Sequence, residues 1–65
     1  MPLACDFQQA LAIESADFSV DQSISMGYDS EEAFQFAYAA ARQRLGTGNN
    51  HLAIEFAQDA VNARY

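Results

Sequence analysis

The chain has 65 residues, of which 51% are hydrophobic, and it carries a formal net charge of −6. A chain of this length holds one domain, covering residues 1–65, and its apolar content supplies a core that disordered chains lack. The negative charge excludes direct binding to nucleic acid, because phosphates need cations to neutralise them, and it disfavours docking on anionic lipid.

The single cysteine and the first residues of the sequence indicate a cytoplasmic protein. Cys5 has no second cysteine with which to form a disulfide, and this favours a reducing compartment. The first residues carry no positive charge and no long apolar run, so they do not form a secretory signal. No stretch approaches the roughly 20 apolar residues that cross a membrane. We therefore expect a cytoplasmic protein with no membrane partner.

The first predicted helix covers residues 6–17. Asp6 together with Gln9 can cap its first turn. We expect the helix to end near Asp17. The side chains expected to face inward are Phe7, Ala10, Leu11 and, just beyond the helix, Phe18.

Residues 18–28 fit two structures. Hydrophobic side chains alternate there with polar residues or glycine, which is typical of a strand. The alternating positions are Phe18, Val20, Ile24, Met26 and Tyr28. Ser19 and Gln22 can instead cap a short helix that Gly27 ends. Because no other stretch could pair with a lone strand, and an unpaired strand is not stable, we predict a short helix at 20–26, with an extended segment as the alternative.

The strongest helical pattern covers residues 30–45. Asp29 can cap the first turn, and Glu32, three residues later, completes a capping box. Two arginines lie in the last turn, where the helix dipole favours positive charge, and Gly46 is well placed to end the helix. The apolar stripe consists of Phe34, Ala37, Tyr38, Ala41 and Leu45.

A turn at 46–50 precedes a last helix predicted at 51–64, which Asn49 or Asn50 can cap. Its apolar face consists of Leu52, Ala53, Phe56, Ala57 and Ala60. The short connector makes the last two helices antiparallel neighbours that pack phenylalanine against phenylalanine. The sequence thus predicts an all-α fold: a small three- to four-helix bundle with a C-terminal antiparallel helical hairpin.

Side chains suited to catalysis or metal binding are scarce. Nucleophilic catalysis needs a base held beside the nucleophile, and the one histidine, His51, lies in or beside a turn. One Cys and one His cannot form the usual zinc ligand set. The glycines at 46 and 48 lack the lysine and the preceding strand of a phosphate loop. We expect no enzymatic activity, no catalytic residue, no metal and no cofactor.

Acidic side chains are concentrated in the first part of the chain. Residues 1–41 hold seven acids and no basic residue, whereas residues 42–65 hold three arginines and two acids, giving local charges of −7 and +1. If the first helix extends through Asp21, then Glu14, Asp17 and Asp21 lie along one face of it and their charges repel. Such a field attracts a basic partner, although ordinary solvation or helix capping is an alternative explanation. The predicted partner-binding residues are Glu14, Asp17, Asp21, Asp29, Glu31 and Glu32.

This profile of small size, acidity, abundant alanine and missing catalytic residues resembles that of the small inhibitors encoded by phages and mobile elements. Many of them, including some anti-CRISPR proteins, imitate DNA, with carboxylates in place of phosphates. The resemblance implies an acidic inhibitor that docks on the basic surface of a nucleic-acid-binding protein. Such binding should weaken with added salt, because screening acts on exposed charge.

A second resemblance covers about residues 20–57. The residues that carry it are Met26, Gly27, Tyr28, Ala33, Asn49 and the run Ala53, Ile54, Glu55 and Phe56. They are similar to the ubiquitin-associated domain, a three-helix domain, and the likeness implies that Met26, Gly27 and Tyr28 contact a partner's hydrophobic patch. Here the interval between loop and third helix is longer by roughly two turns, and Ser23 replaces a core leucine.

The second resemblance defines an alternative function, that of a ubiquitin-associated-like or homodimeric helical module for protein–protein interaction. Such a module predicts an exposed apolar patch. The patch is expected around Ile24, Met26, Tyr28 or Phe36.

Overall fold

A computed structural model describes residues 4–65. They form three helices, α1 (Asp6–Ser25), α2 (Ser30–Leu45) and α3 (Asn50–Arg64), and each helix packs against the other two. No strand occurs within this range, so the predicted all-α class is confirmed, with three helices. The molecule measures 36 × 17 × 16 Å, and its long axis accommodates the roughly 30 Å length of a 20-residue helix such as α1.

Helix α1 is continuous, and the prediction of two helices at 6–17 and 20–26 was wrong. No glycine or proline interrupts it before Gly27, and its buried positions continue past the predicted break as Ala12, Ala16, Val20 and Ser23. The hydroxyl of Ser23 donates to the carbonyl oxygen of Ser19 at 2.8 Å, so its burial leaves no polar group unpaired. Helical spacing therefore prevails over the alternating pattern.

Helix α1 ends in a Schellman motif. Gly27 has a φ of +80°, a left-handed conformation that favours glycine. The amide of Tyr28 donates to the carbonyl oxygen of Ser23 at 2.9 Å, and the amide of Gly27 donates to that of Ile24 at 3.1 Å. The four-residue connection that follows α1 therefore has a defined conformation.

Helix α1 begins at Asp6, as predicted, but its N-cap is Cys5 and not Asp6. The amide of Cys5 donates to Oε1 of Gln8 at 3.0 Å. Asp6 is instead the first helical residue, where the helix dipole favours its charge. The side chain of Gln9 donates to the carbonyl oxygen of Ala4 at 3.0 Å and so holds the preceding segment.

Helix α2 has the caps that the sequence predicted. Oδ1 of Asp29 accepts from the amide of Glu32 at 2.9 Å, and Oε1 of Glu32 accepts from the amide of Asp29 at 3.5 Å. Gly46, with a φ of +81°, ends the helix as its amide donates to the carbonyl oxygen of Arg42 at 3.0 Å.

Asn49 precedes α3, but its side chain does not cap that helix. The side chain is buried, and its Oδ1 accepts from the amide of Ala4 at 3.2 Å. Its Nδ2 donates to the carbonyl oxygen of Leu45 at 3.3 Å and to that of Thr47 at 3.5 Å. One side chain therefore joins the segment before α1 to the α2–α3 connection.

The core of the bundle is built from small side chains. Its twelve buried hydrophobic residues are nine alanines together with Val20, Val61 and Leu45. Small side chains let helix backbones approach closely, since interaxial distance depends on the residues at the contact. Four larger residues pack against this core from partly buried positions, namely Phe34, Tyr38, Leu52 and Phe56.

None of the five phenylalanines is buried. Phe7, Phe18 and Phe36 are 71%, 64% and 50% exposed, although Phe7 and Phe18 were predicted to face inward. The bundle therefore places alanine inside and much of its large apolar surface outside.

Candidate functional site

Arg64, at the end of α3, pairs with two of the predicted partner-binding acids. Its Nε donates to Oδ1 of Asp21 at 2.6 Å, and its Nη1 donates to Oδ1 of Asp17 at 3.2 Å. The hydrogen bond to Asp21 is the main cause that raises the pKa of Arg64. Asp17 and Asp21 thus face a cation of the same chain, and their field is reduced where the sequence predicted it to act on a partner.

The other four predicted acids occupy two further places. Glu14 is exposed on α1 and lines a cavity between α1 and α2. Asp29 and Glu32 form the cap of α2, and Glu31 is exposed in its first turn. Within residues 4–65, none of these four makes a salt bridge. The six acids therefore do not form one uninterrupted patch.

Replacing Arg64 with Gln is expected to lower the free energy of unfolding by less than about 1 kcal/mol, because the paired groups are partly exposed and water screens them. The loss should be largest near 20 mM NaCl and should shrink at about 1 M NaCl, where the Debye length is roughly 3 Å. Urea unfolding at both salt concentrations measures it. Arg42 makes no salt bridge among the described residues, so Arg42→Gln is the control. An equal salt response in both variants would contradict the assignment.

A surface depression follows the seam between α1 and α2. Two adjoining cavities form it, and both are lined by Phe18 and Ser19. We call this depression the α1–α2 groove. The first cavity lies between side chains of residues 11–19 and of residues 40–44. The second lies between side chains of residues 18–26 and those of Tyr28 and Phe36. The early part of α1 thus lies beside the late part of α2, so these two helices are antiparallel.

Large apolar side chains border the second cavity of the groove. Met26 is 65% exposed, and Phe18 and Phe36 stand on opposite helices. The ring of Tyr28 stacks on that of Phe36, with centroids 5.3 Å apart and planes inclined by 28°. The stacking fixes the orientation of one wall, and this second cavity, about 290 Å³ in volume, is open to solvent.

The groove contains most of the apolar patch that the sequence predicted for an interaction module. Met26, Tyr28 and Phe36 line it, whereas Ile24, although exposed, does not. Phe18 was missed because it was assigned to the inner face. Its spacing of four residues from Glu14 was the available signal, since it places Phe18 on the same helix face as an acidic residue.

Groups suited to catalysis are not assembled in the part of the chain that the structure describes. Cys5 and His51 are both exposed. No cluster of three or more His, Cys, Asp or Glu side chains that could hold a metal ion occurs between Ala4 and Tyr65. None of the described helices is long and apolar enough to cross a membrane. Every buried side-chain nitrogen or oxygen in this range has a hydrogen-bond partner.

Comparisons of the chain with known protein families, with curated proteins and with solved structures gave no match. The resemblances to phage-encoded inhibitors and to ubiquitin-associated domains therefore stay predictions.

Proposed function

We propose that this chain is a non-catalytic protein-binding module that docks a partner protein through the α1–α2 groove. The observation that carries the proposal is the exposure of Phe18, Met26 and Phe36 in one groove over a core made mostly of alanine. Fully burying a side chain of this size contributes about 1.5–3 kcal/mol. A partner that covers the groove buries these side chains, and the free energy of that burial stabilises the complex.

The scaffold suits a binding role. In this proposal α2 and α3 form an antiparallel hairpin that supports α1 from behind, so the groove has a rigid floor. Acids lie near its apolar anchors, since Glu14 borders the first cavity and Glu32 lies one helical turn before Phe36. Interfaces that bind tightly commonly have an apolar centre and a polar rim. A partner with apolar side chains and a basic border fits this surface.

Replacing Phe36 with Ala is expected to weaken partner binding at least tenfold, a loss of about 1.4 kcal/mol, because an aromatic anchor at the centre of an interface carries much of the binding energy. Ile54→Ala is a matched control, since Ile54 is 49% exposed against 50% for Phe36 and does not line the groove. The measurement is capture of the partner from an extract of the source organism at about 0.05 and 0.5 M NaCl. Binding through apolar contacts should persist at the higher salt concentration, whereas binding through exposed charges should be lost because salt screens them.

A second candidate is the acidic inhibitor that docks on a basic, nucleic-acid-binding protein in place of DNA. It is favoured by the four acids that make no salt bridge within residues 4–65. In the capture experiment it would show binding that is lost at high salt, abolished by Glu14→Lys with Glu31→Lys, and indifferent to Phe36→Ala. Asp17 and Asp21 are unsuitable for that test because reversing them also repels Arg64.

A second copy of the chain is the third candidate for the occupant of the groove. Two chains of −6 each would meet at some electrostatic cost. Sedimentation of the purified protein over a range of concentrations distinguishes this case, since a homodimer that Phe36→Ala dissociates would assign the groove to self-association.

A further inference from the structure

We infer that the α1–α2 groove receives a basic amphipathic α-helix of the partner. This inference rests on the proposed function and specifies the chemistry of the partner. It follows from the shape of the groove, from the sizes of the side chains along it and from the charges at its rim.

The groove has the length and form of a helix seat. It extends from Leu11 in α1 to Met26, the residue after that helix, which at about 1.5 Å per residue is roughly 22 Å, or four helical turns. An antiparallel pair of helices offers a depression in which a further helix packs with ridges in grooves. The described residues include no sheet edge on which an extended peptide could add a strand. A helix is therefore the secondary structure that this surface fits.

Side-chain sizes in the groove match the approach of a helix. Ser15, Ser19 and Ala40 line its floor in half-buried positions, and small residues allow a second backbone to come close. Phe18 and Phe36 line it from opposite helices. Large residues that flank small ones produce alternating knobs and holes, which a helix with apolar residues at i, i+3, i+4 and i+7 fills.

An acid at the rim of the groove, Glu14, favours a basic helix. Glu14 lies four residues before Phe18, and Glu32 lies four residues before Phe36, so each phenylalanine has an acid one turn away on its own helix. Arg44 is the one basic side chain that lines the groove, and its Nε donates to the hydroxyl of Ser15 at 3.2 Å. With a chain charge of −6, Lys or Arg beside the apolar stripe of the incoming helix completes the complementarity.

Two synthetic peptides test the inference with the full chain. Both have about 18 residues, long enough to cover the groove, and both carry leucine at i, i+3, i+4 and i+7 along one face. The flanking positions are lysine in one peptide and glutamate in the other. Calorimetric titration at about 50 mM NaCl should show the lysine peptide binding at least tenfold more tightly than the glutamate peptide, a difference of about 1.4 kcal/mol.

Variants of the protein locate the binding. Phe36→Ala should weaken the lysine peptide at least tenfold, whereas Ile54→Ala should leave it unchanged. Glu14→Gln with Glu32→Gln should weaken it by roughly threefold to tenfold and leave the cap of α2 able to form, since glutamine also accepts a hydrogen bond. Glu55→Gln, at an exposed position on α3, is the control for lost charge. Circular dichroism verifies that each variant keeps its helix content.

Three results would overturn the inference. They are equal binding of the two peptides, binding of neither, and a loss caused by Ile54→Ala but not by Phe36→Ala. If the peptides fail while partner capture still depends on Phe36, the helical occupant is refuted and the binding module stands. If capture does not depend on Phe36, the proposed function itself fails.

Discussion

Replacing Ala37 with Leu should lower the free energy of unfolding by about 3 kcal/mol, the upper end of the usual cost of overpacking a core. Ala37 is fully buried in the middle of α2, where helices packed through alanine leave little room for three more carbon atoms. The loss is large for this chain, since a domain of 65 residues is stable by only about 3–10 kcal/mol. Urea unfolding followed by helical circular dichroism measures it.

Ala39→Leu is the matched control for overpacking. Ala39 lies two residues further along the same helix and is exposed, and leucine has a helix propensity close to that of alanine. Its effect should stay within about 0.5 kcal/mol, as for most surface substitutions. If the two variants unfold at the same urea concentration, close packing of the helices through alanine is refuted.

Replacing Asn49 with Ala is expected to cost about 2 kcal/mol, because it leaves a buried amide and a buried carbonyl without partners. The amide is that of Ala4 and the carbonyl is that of Leu45. The effect should appear in urea unfolding and as faster hydrogen exchange at the amide of Ala4. Asn49→Asp separates the two roles, since it keeps an acceptor for Ala4 and removes the donor to Leu45.

Asn50→Ala is the control for this prediction. Asn50 is exposed and begins α3, so the sequence alone gave it the same capping role as Asn49. Its replacement should change stability by less than about 0.5 kcal/mol. A larger loss at Asn50 than at Asn49 would show that capping of α3, and not the buried hydrogen bonds, stabilises this region.

Helix positions followed from sequence wherever local signals agreed. The bounds of α2 match the predicted 30–45, and α3 begins one residue before the predicted 51–64. Capping groups, apolar spacing and glycine all indicate the same ends there. In α1 the signals conflicted. Local caps favoured a break near Asp17, whereas burial of Val20 against the other helices favours continuity, and burial depends on contacts that a local pattern does not contain.

The composition of the core was less predictable. An apolar stripe identifies the buried side of a helix, but not which residues lie at its centre. Phe34 and Ala37 were assigned to the same stripe of α2, yet Ala37 is fully buried and Phe34 only partly. The close spacing of three helices places the smallest side chains at the centre, and that spacing arises from all three helices together.

The candidate site, too, could be predicted from the sequence only in part. Met26, Tyr28 and Phe36 could be assigned to an exposed patch from sequence, because a loop and a helix start bring them near one another. The pairing of Arg64 with Asp17 and Asp21 joins residues 47 and 43 positions apart. Such a contact depends on how α3 lies on α1, so no spacing rule could reveal it.

An interior of alanine separates the large exposed apolar side chains from the residues that keep the bundle folded. A buried alanine has only a methyl group to lose, and the packed interior has no space for a larger side chain. Substitutions that preserve the bundle are therefore confined to surface positions. Phe18, Met26 and Phe36 are at such positions, and exchanging them leaves positions such as Ala16 and Ala37 untouched. If the proposed binding role holds, selection can change the partner by altering a few surface residues, without having to rebuild the scaffold at the same time.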